Sequence, residues 1–343
     1  ISVPENGKCY LKLIYYLKKE MPLLEENHIL GFDEIEVSQK DAKCQLAEKW
    51  LEKTATDSEL QVNEDDTQIH IKGREFAYTI DRRTALFTEM KFAGREYLNH
   101  PMELNIWRAP TDNDMYIKAE WKKAHYDKAY TRAYTTEVVQ GKHGVKITSH
   151  ASVVAETVQK ILDVTITWKI DASGKIDADI EATKDGEFPD LPRFGVRMFL
   201  DKKLSDARYF GMGPQESYRD KHQAASHGLY RANVGDLHED YIRPQENGSH
   251  YDCEYVELNN SRYGIVASAE KAFSFNASYY TQEELEKKTH NYELIESDSV
   301  VFCVDYALNG IGSNSCGPVV LEQYRFDDVL FRFQFTLIPY VKG

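Results

Sequence analysis

Short runs of alternating apolar and polar residues dominate most of this chain. The clearest is the closing Phe331-Arg-Phe-Gln-Phe-Thr-Leu337, where every second residue is apolar, the signature of a strand with one buried face. Similar runs lie at 69–71, 76–80, 145–147, 161–168, 176–180, 194–200, 255–258, 263–267, 273–275 and 300–306, separated by charged or glycine-bearing turns. Strands at this spacing predict one large antiparallel β domain, a sandwich or barrel, over residues 67–343. Upstream, Tyr10–Lys18 and Ile29–Val37 read as two strands joined through Pro22 and the acidic 24–27 stretch; alone they are marginal, so residues 1–40 read as part of a larger sandwich. Between them, 41–66 is polar and charge-rich, and the spacing of Cys44, Leu46, Ala47, Trp50 and Leu51 predicts a linker with a short helix over 41–53. Two further helices are expected: one capped by Asp112-Asn-Asp114 and running over Ala119, Trp121, Ala124 and Lys128, the other opened by the Thr281-Gln-Glu-Glu284 capping box.

Composition narrows the function classes. With 42 basic against 56 acidic residues the formal charge is −14, which leaves no electrostatic drive toward nucleic acid or an anionic membrane surface. No apolar run approaches a membrane span, and the first residues show no signal-peptide pattern; a mature chain or an excised fragment is expected, in a soluble compartment left open between cytoplasm and periplasm. The five cysteines (Cys9, Cys44, Cys253, Cys303, Cys316) stand singly, so reduced structural thiols are expected and no zinc site. No serine-nucleophile elbow, metalloprotease helix, phosphate loop or dinucleotide fingerprint is present. His222, His227 and His238 read as solvent or core histidines rather than metal ligands.

A set of motifs, in order over more than 200 residues, carries a resemblance: Trp107-Arg-Ala-Pro-Thr-Asp-Asn-Asp114, Leu191-Pro-Arg-Phe-Gly195, Phe210-Gly-Met-Gly-Pro-Gln-Glu-Ser-Tyr-Arg-Asp220, Pro244-Gln-Glu-Asn-Gly248 and Asn309-Gly-Ile-Gly-Ser-Asn-Ser-Cys-Gly-Pro318. Together they resemble the C-terminal region of glycoside hydrolase family 2 β-galactosidases, with residues 1–40 similar to the end of the immunoglobulin-like domain that precedes it. The resemblance implies a mainly β fold whose final domain is a large antiparallel supersandwich, similar to galactose mutarotases, lying beside a catalytic barrel of the same polypeptide. It also implies a parent that is a retaining enzyme acting on β-galactosides, possible homo-oligomers, and magnesium and sodium bound outside this region. In that family the two catalytic glutamates sit on the barrel. No alternating β and α pattern of some 250 residues is present to build one, so no acidic residue here is carried over as catalytic and the chain alone is expected to be inactive.

Site expectations follow from the same resemblance. The family's late loop reaches the rim of the sugar pocket, which nominates Ser313, Asn314, Ser315 and Cys316. Where well-known members place a tryptophan for stacking, Cys316 stands nearest, and the loop is shorter. The plain alternative is a glycine turn in which Gly310, Gly312 and Gly317 supply positive φ angles and Cys316 packs inward. Trp107, Arg108, Arg193, Glu246 and Asn247 are nominated as sugar-binding residues because an aromatic ring, guanidinium groups and carboxylate or amide oxygens suit sugar hydroxyls. The competing reading makes Gly211, Gly213 and Pro214 backbone corners and pairs Glu216 with an arginine such as Arg219. Two other function classes stay open: a free-standing carbohydrate-binding or mutarotase-like module, and a purely structural assembly domain.

Overall fold

A computed structural model describes residues 8–37, 60–157 and 160–342. The helix expected over 41–53 lies outside the described residues. The chain divides into two compact units, Ile1–Lys53 and Thr54–Gly343.

In the first unit, Tyr10–Tyr16 and Ile29–Glu36 form an antiparallel hairpin with Ile14 opposite Phe32. Most of its apolar side chains are exposed, among them Leu13, Ile14, Tyr16, Ile29 and Ile35. Two strands bury too little surface to be stable alone.

The second unit is mainly β and antiparallel throughout. Among the described residues it holds a twelve-stranded sheet and a five-stranded meander over Gln61–Glu64, Gln68–Lys72, Phe76–Asp81, Leu86–Phe92 and Arg95–Glu96. Gln61–Glu64, read from sequence as part of the linker, pairs with Gln68–Lys72 and is the meander's first strand. Alternation explains the burial. In Leu330–Val341 the side chains of Phe331, Phe333, Phe335 and Leu337 are inside while Arg332 and Gln334 are exposed, and the neighbouring Ile176–Lys184 repeats the pattern. Trp168 ties the sheets together: its indole N–H donates to the Ala85 carbonyl at 2.8 Å, and its ring meets Phe87 edge-on at 4.9 Å.

The sixteen-residue strand Tyr263–Ser278 branches the large sheet. Its first half pairs with Leu330–Val341 and its second half with Ser299–Leu308, and the exposed residues 270–272 lie between the two ladders. Ser299–Leu308 pairs in turn with Arg193–Asp201, which is flanked on its other side by Leu98–Asn105. The four strands Leu98–Asn105, Asp206–Gly213, Ser226–Asn233 and Tyr130–Gln140 were not legible as strands in the sequence.

The helical excursions are short. Thr111, rather than Asp112, caps the first: its hydroxyl and backbone N–H both donate to Asp114, and Asp112–Asp114 forms a single 3-10 turn ahead of the helix Ile117–Lys123. In the second, the Thr281 hydroxyl accepts from Glu284 N–H at 3.1 Å and opens Gln282–Lys287 as the capping box predicts.

Candidate functional site

The ordered motifs, far apart in sequence, meet in one buried frame beneath the loop that follows Ser299–Leu308. Arg193, fully buried, forks onto Asp305 (Nε to Oδ1 3.1 Å, Nη2 to Oδ2 2.6 Å) and reaches Glu246 with Nη1 at 2.8 Å. The other oxygen of Glu246 accepts from Ala109 N–H at 3.0 Å, so 107–114, 191–195 and 244–248 share one carboxylate. Burial alone would lower Arg193, yet Asp305 and Glu246 hold it well above its ordinary value. Burial pushes Asp305 up to about 6, against the pull of Arg193, so the pair is ionised at neutral pH.

Arg108 is the second fork. It binds Asp114 through Nε at 3.1 Å and Nη2 at 2.7 Å, and donates to the carbonyls of Asn309 at 2.5 Å and Gly310 at 3.0 Å. Asp220, closing the 210–220 motif, accepts from Ile311 N–H at 2.9 Å and Gly312 N–H at 2.7 Å. Asn113 donates to the Gly312 carbonyl at 2.7 Å and accepts from the Ser315 hydroxyl at 2.8 Å. Above these anchors Ser313, Ser315 and Cys316 are exposed and Asn314 half-buried.

The expected site residues therefore separate into two sets. Ser313, Asn314, Ser315 and Cys316 form the displayed loop. Trp107, Arg108, Arg193, Glu246 and Asn247 lie beneath it, each no more than 5% exposed. Their polar groups are largely spent within the protein: Asn247, for example, accepts from Glu239 N–H at 2.9 Å and donates to the Gln245 carbonyl at 2.9 Å. They frame the loop and do not reach a ligand at its surface, because a guanidinium with no exposed area and carboxylate partners has no face left to offer. The glycine-turn reading is also revised. Only Gly312 of the three glycines has positive φ, at 65°, and Cys316 faces solvent. Glu216 pairs with Lys221 at 2.5 Å rather than with an arginine, and also accepts from Tyr241 and from Gly248 N–H. Burial would raise its carboxyl, but Lys221 and Tyr241 hold it below the ordinary range. His227 pairs with Asp252 at 3.0 Å.

Beside the loop lies a cleft of about 370 Å³ lined by Asn113, Tyr116, Glu120, Asp190, Asn314 and Arg325, among others. Tyr116, 64% exposed, was missed in the sequence; its signal was its place two residues after the 107–114 motif. The cleft offers one exposed ring together with hydrogen-bond donors and acceptors, a set suited to a polyol. Among the described residues no group of three or more His, Cys, Asp or Glu side chains is placed to hold a metal ion.

Behind the frame, His250 is 1% exposed, between the rings of Tyr209 at 4.5 Å and Phe275 at 5.0 Å. Its Nδ1 lies 3.2 Å from the Met212 carbonyl, and Nε2 is unpartnered. Burial lowers its pKa to about 4. A histidine depressed in the folded state stabilises above its unfolded value near 6.5, and that stability is lost as pH falls toward 4. The wild-type chain should thus lose about 2 kcal/mol between pH 7 and pH 5 relative to His250→Phe, read as the difference in urea unfolding curves. Parallel pH dependence in the two proteins would contradict the assignment.

Comparison with known proteins agrees with this architecture. The beta-galactosidase of Actinobacillus pleuropneumoniae is 42% identical over 340 residues, covering 98% of this chain and 33% of that protein. That of Staphylococcus xylosus is 32% identical over 326 residues, 95% of this chain and 32% of its own length. That of Kluyveromyces lactis is 27% identical over 342 residues, 95% and 32% respectively. The chain thus spans about a third of the length of the relatives it matches. Among solved structures, a galactose 1-epimerase from Lactobacillus acidophilus covers 84% of this chain at 9% identity with a TM-score of 0.46. The model of the beta galactosidase small chain matches residues 72–337, nearly the whole of the second unit, and the chain belongs to that family.

Proposed function

We propose that this chain is the noncatalytic C-terminal portion of a β-galactosidase, an enzyme hydrolysing terminal β-D-galactosides with carboxylates on a barrel elsewhere in the same polypeptide. In this reading the chain lends Ser313–Cys316 to the rim of the substrate pocket, with Tyr116 beside them. One observation carries it. Five ordered motifs are tied by buried ion pairs and hydrogen bonds to the base of a single exposed loop, in a chain that spans a third of its β-galactosidase relatives. A frame of that cost is hard to account for if the loop only connects two strands.

Two measurements test it. The 343-residue chain should leave a nitrophenyl galactoside intact; turnover that disappears when a carboxylate of this chain is replaced would overturn the noncatalytic assignment. In the full-length enzyme, Cys316→Trp should restore an aromatic platform worth about 1 kcal/mol, lowering KM for an aryl galactoside roughly fivefold with a smaller change in kcat. Tyr116→Ala should raise KM. If neither substitution moves KM, the loop is not at the rim.

A further inference from the structure

A second hollow, of about 230 Å³, shares none of its lining with the cleft beside the loop. It lies where the bulged strand Ser249–Asn259 meets Ser299–Leu308 and the turn after Asp206–Gly213, and Ser249 is its most informative wall. That side chain is 1% exposed and its hydroxyl has no hydrogen-bond partner. A buried hydroxyl can donate once and accept twice, and leaving all of this unmade is costly, so a group in the hollow that supplies a partner is favoured by the full penalty it relieves.

The remaining walls define what that group is. Tyr218, Tyr251, Phe273 and Tyr306 supply rings, a surface that suits the C–H faces of a sugar. Asp252 is presented by a break in register between His250 and Cys253, with φ at 53°, and is steadied by His227 at 3.0 Å. Bulges of this kind re-aim a side chain, and strained residues gather at ligand sites. Charge excludes an anion: Arg219, which donates to the Arg325 carbonyl at 2.9 Å, is outnumbered by Asp252 and Asp328. Size excludes a long ligand, since pockets for drug-sized molecules run from about 300 Å³ upward.

We propose that this hollow binds a single neutral sugar ring, hydrogen-bonded to Ser249 and Asp252 and covered by Tyr251 and Tyr306. The site is independent of the loop at 313–317 and of any hydrolysis, so its test involves no turnover.

The test is saturation-transfer NMR with titration calorimetry on the 343-residue chain, using galactose, glucose and galactose 6-phosphate at concentrations well above a millimolar dissociation constant. At least one neutral hexose should bind, with transfer from tyrosine ring protons, and the phosphate ester should bind more weakly. Ser249→Ala should weaken the hexose about three- to tenfold, the worth of one hydrogen bond, while leaving the thermal midpoint unchanged or higher because it removes an unpaired hydroxyl. Asp328→Asn, at an exposed position where misfolding is not a concern, should weaken it about two- to fivefold. Absence of binding by both neutral hexoses, tighter binding of the phosphate ester, or equal affinity in wild type and Asp328→Asn would each overturn the proposal.

Discussion

Arg193→Met is expected to cost roughly 3–5 kcal/mol of stability, the price typical of removing one partner from a buried ion pair. The fork to Asp305 and the arm to Glu246 are the main compensation for two carboxylates that are 0% and 3% exposed. Methionine fills most of the volume and leaves both charges stranded. Arg193→Lys should recover less than half of the loss, because one ammonium cannot serve a bidentate fork and a second carboxylate together. Urea unfolding reads the stability, and limited proteolysis reads the loop: Glu246 also holds Ala109 N–H, so cleavage within 313–317 should quicken in the methionine variant. A loss below about 1 kcal/mol would mean that water reaches the carboxylates and that the frame is less dry than its geometry indicates.

Gly195→Ala should approach 3 kcal/mol by a steric route. Gly195 sits opposite Asp305 on one side and Asn105 on the other, at a register shift in Arg193–Asp201. A Cβ there would overlap the Val304 carbonyl and the Asp305 carboxylate, and would lie 2.6 Å from Asp305 Cα. Backbone cannot give as a flexible side chain can, so the strand pair must separate or the carboxylate must leave Arg193. The substitution is therefore expected to be non-additive with Arg193→Met: once the fork is gone, displacing Asp305 costs less. A double-mutant cycle in which the two losses simply sum would show that the glycine and the fork are unrelated.

The fold was legible wherever one face of a strand is buried and the other wet, as in Leu330–Val341. It was less legible where local signals conflict. Asp206–Gly213 carries two glycines, and in Tyr130–Gln140 the residues alternate poorly because the strand is a sheet edge with Tyr130 and Tyr134 exposed. The site divided in the same way. Motif order identified which segments matter, and glycine and serine content marked 313–317 as a turn. Whether an arginine faces a ligand or a buried carboxylate is decided by tertiary neighbours: Arg193 finds Asp305 112 residues away and Glu246 53 residues away, separations that no spacing rule in the sequence reports. The same holds for Asp220, whose two backbone donors come from more than 90 residues downstream.

The division between buried anchors and an exposed tip has a consequence for how such a loop can change over generations. Arg108 and Asp220 grip only backbone atoms of 309–312, so the grip is indifferent to which side chains follow. Substitutions at 313–316 remove little buried surface and few bonds, whereas changes in the anchors are felt by the whole domain. The loop is thereby free to explore new contacts at almost no risk to folding, a built-in division of labour between a heritable scaffold and a variable reading head.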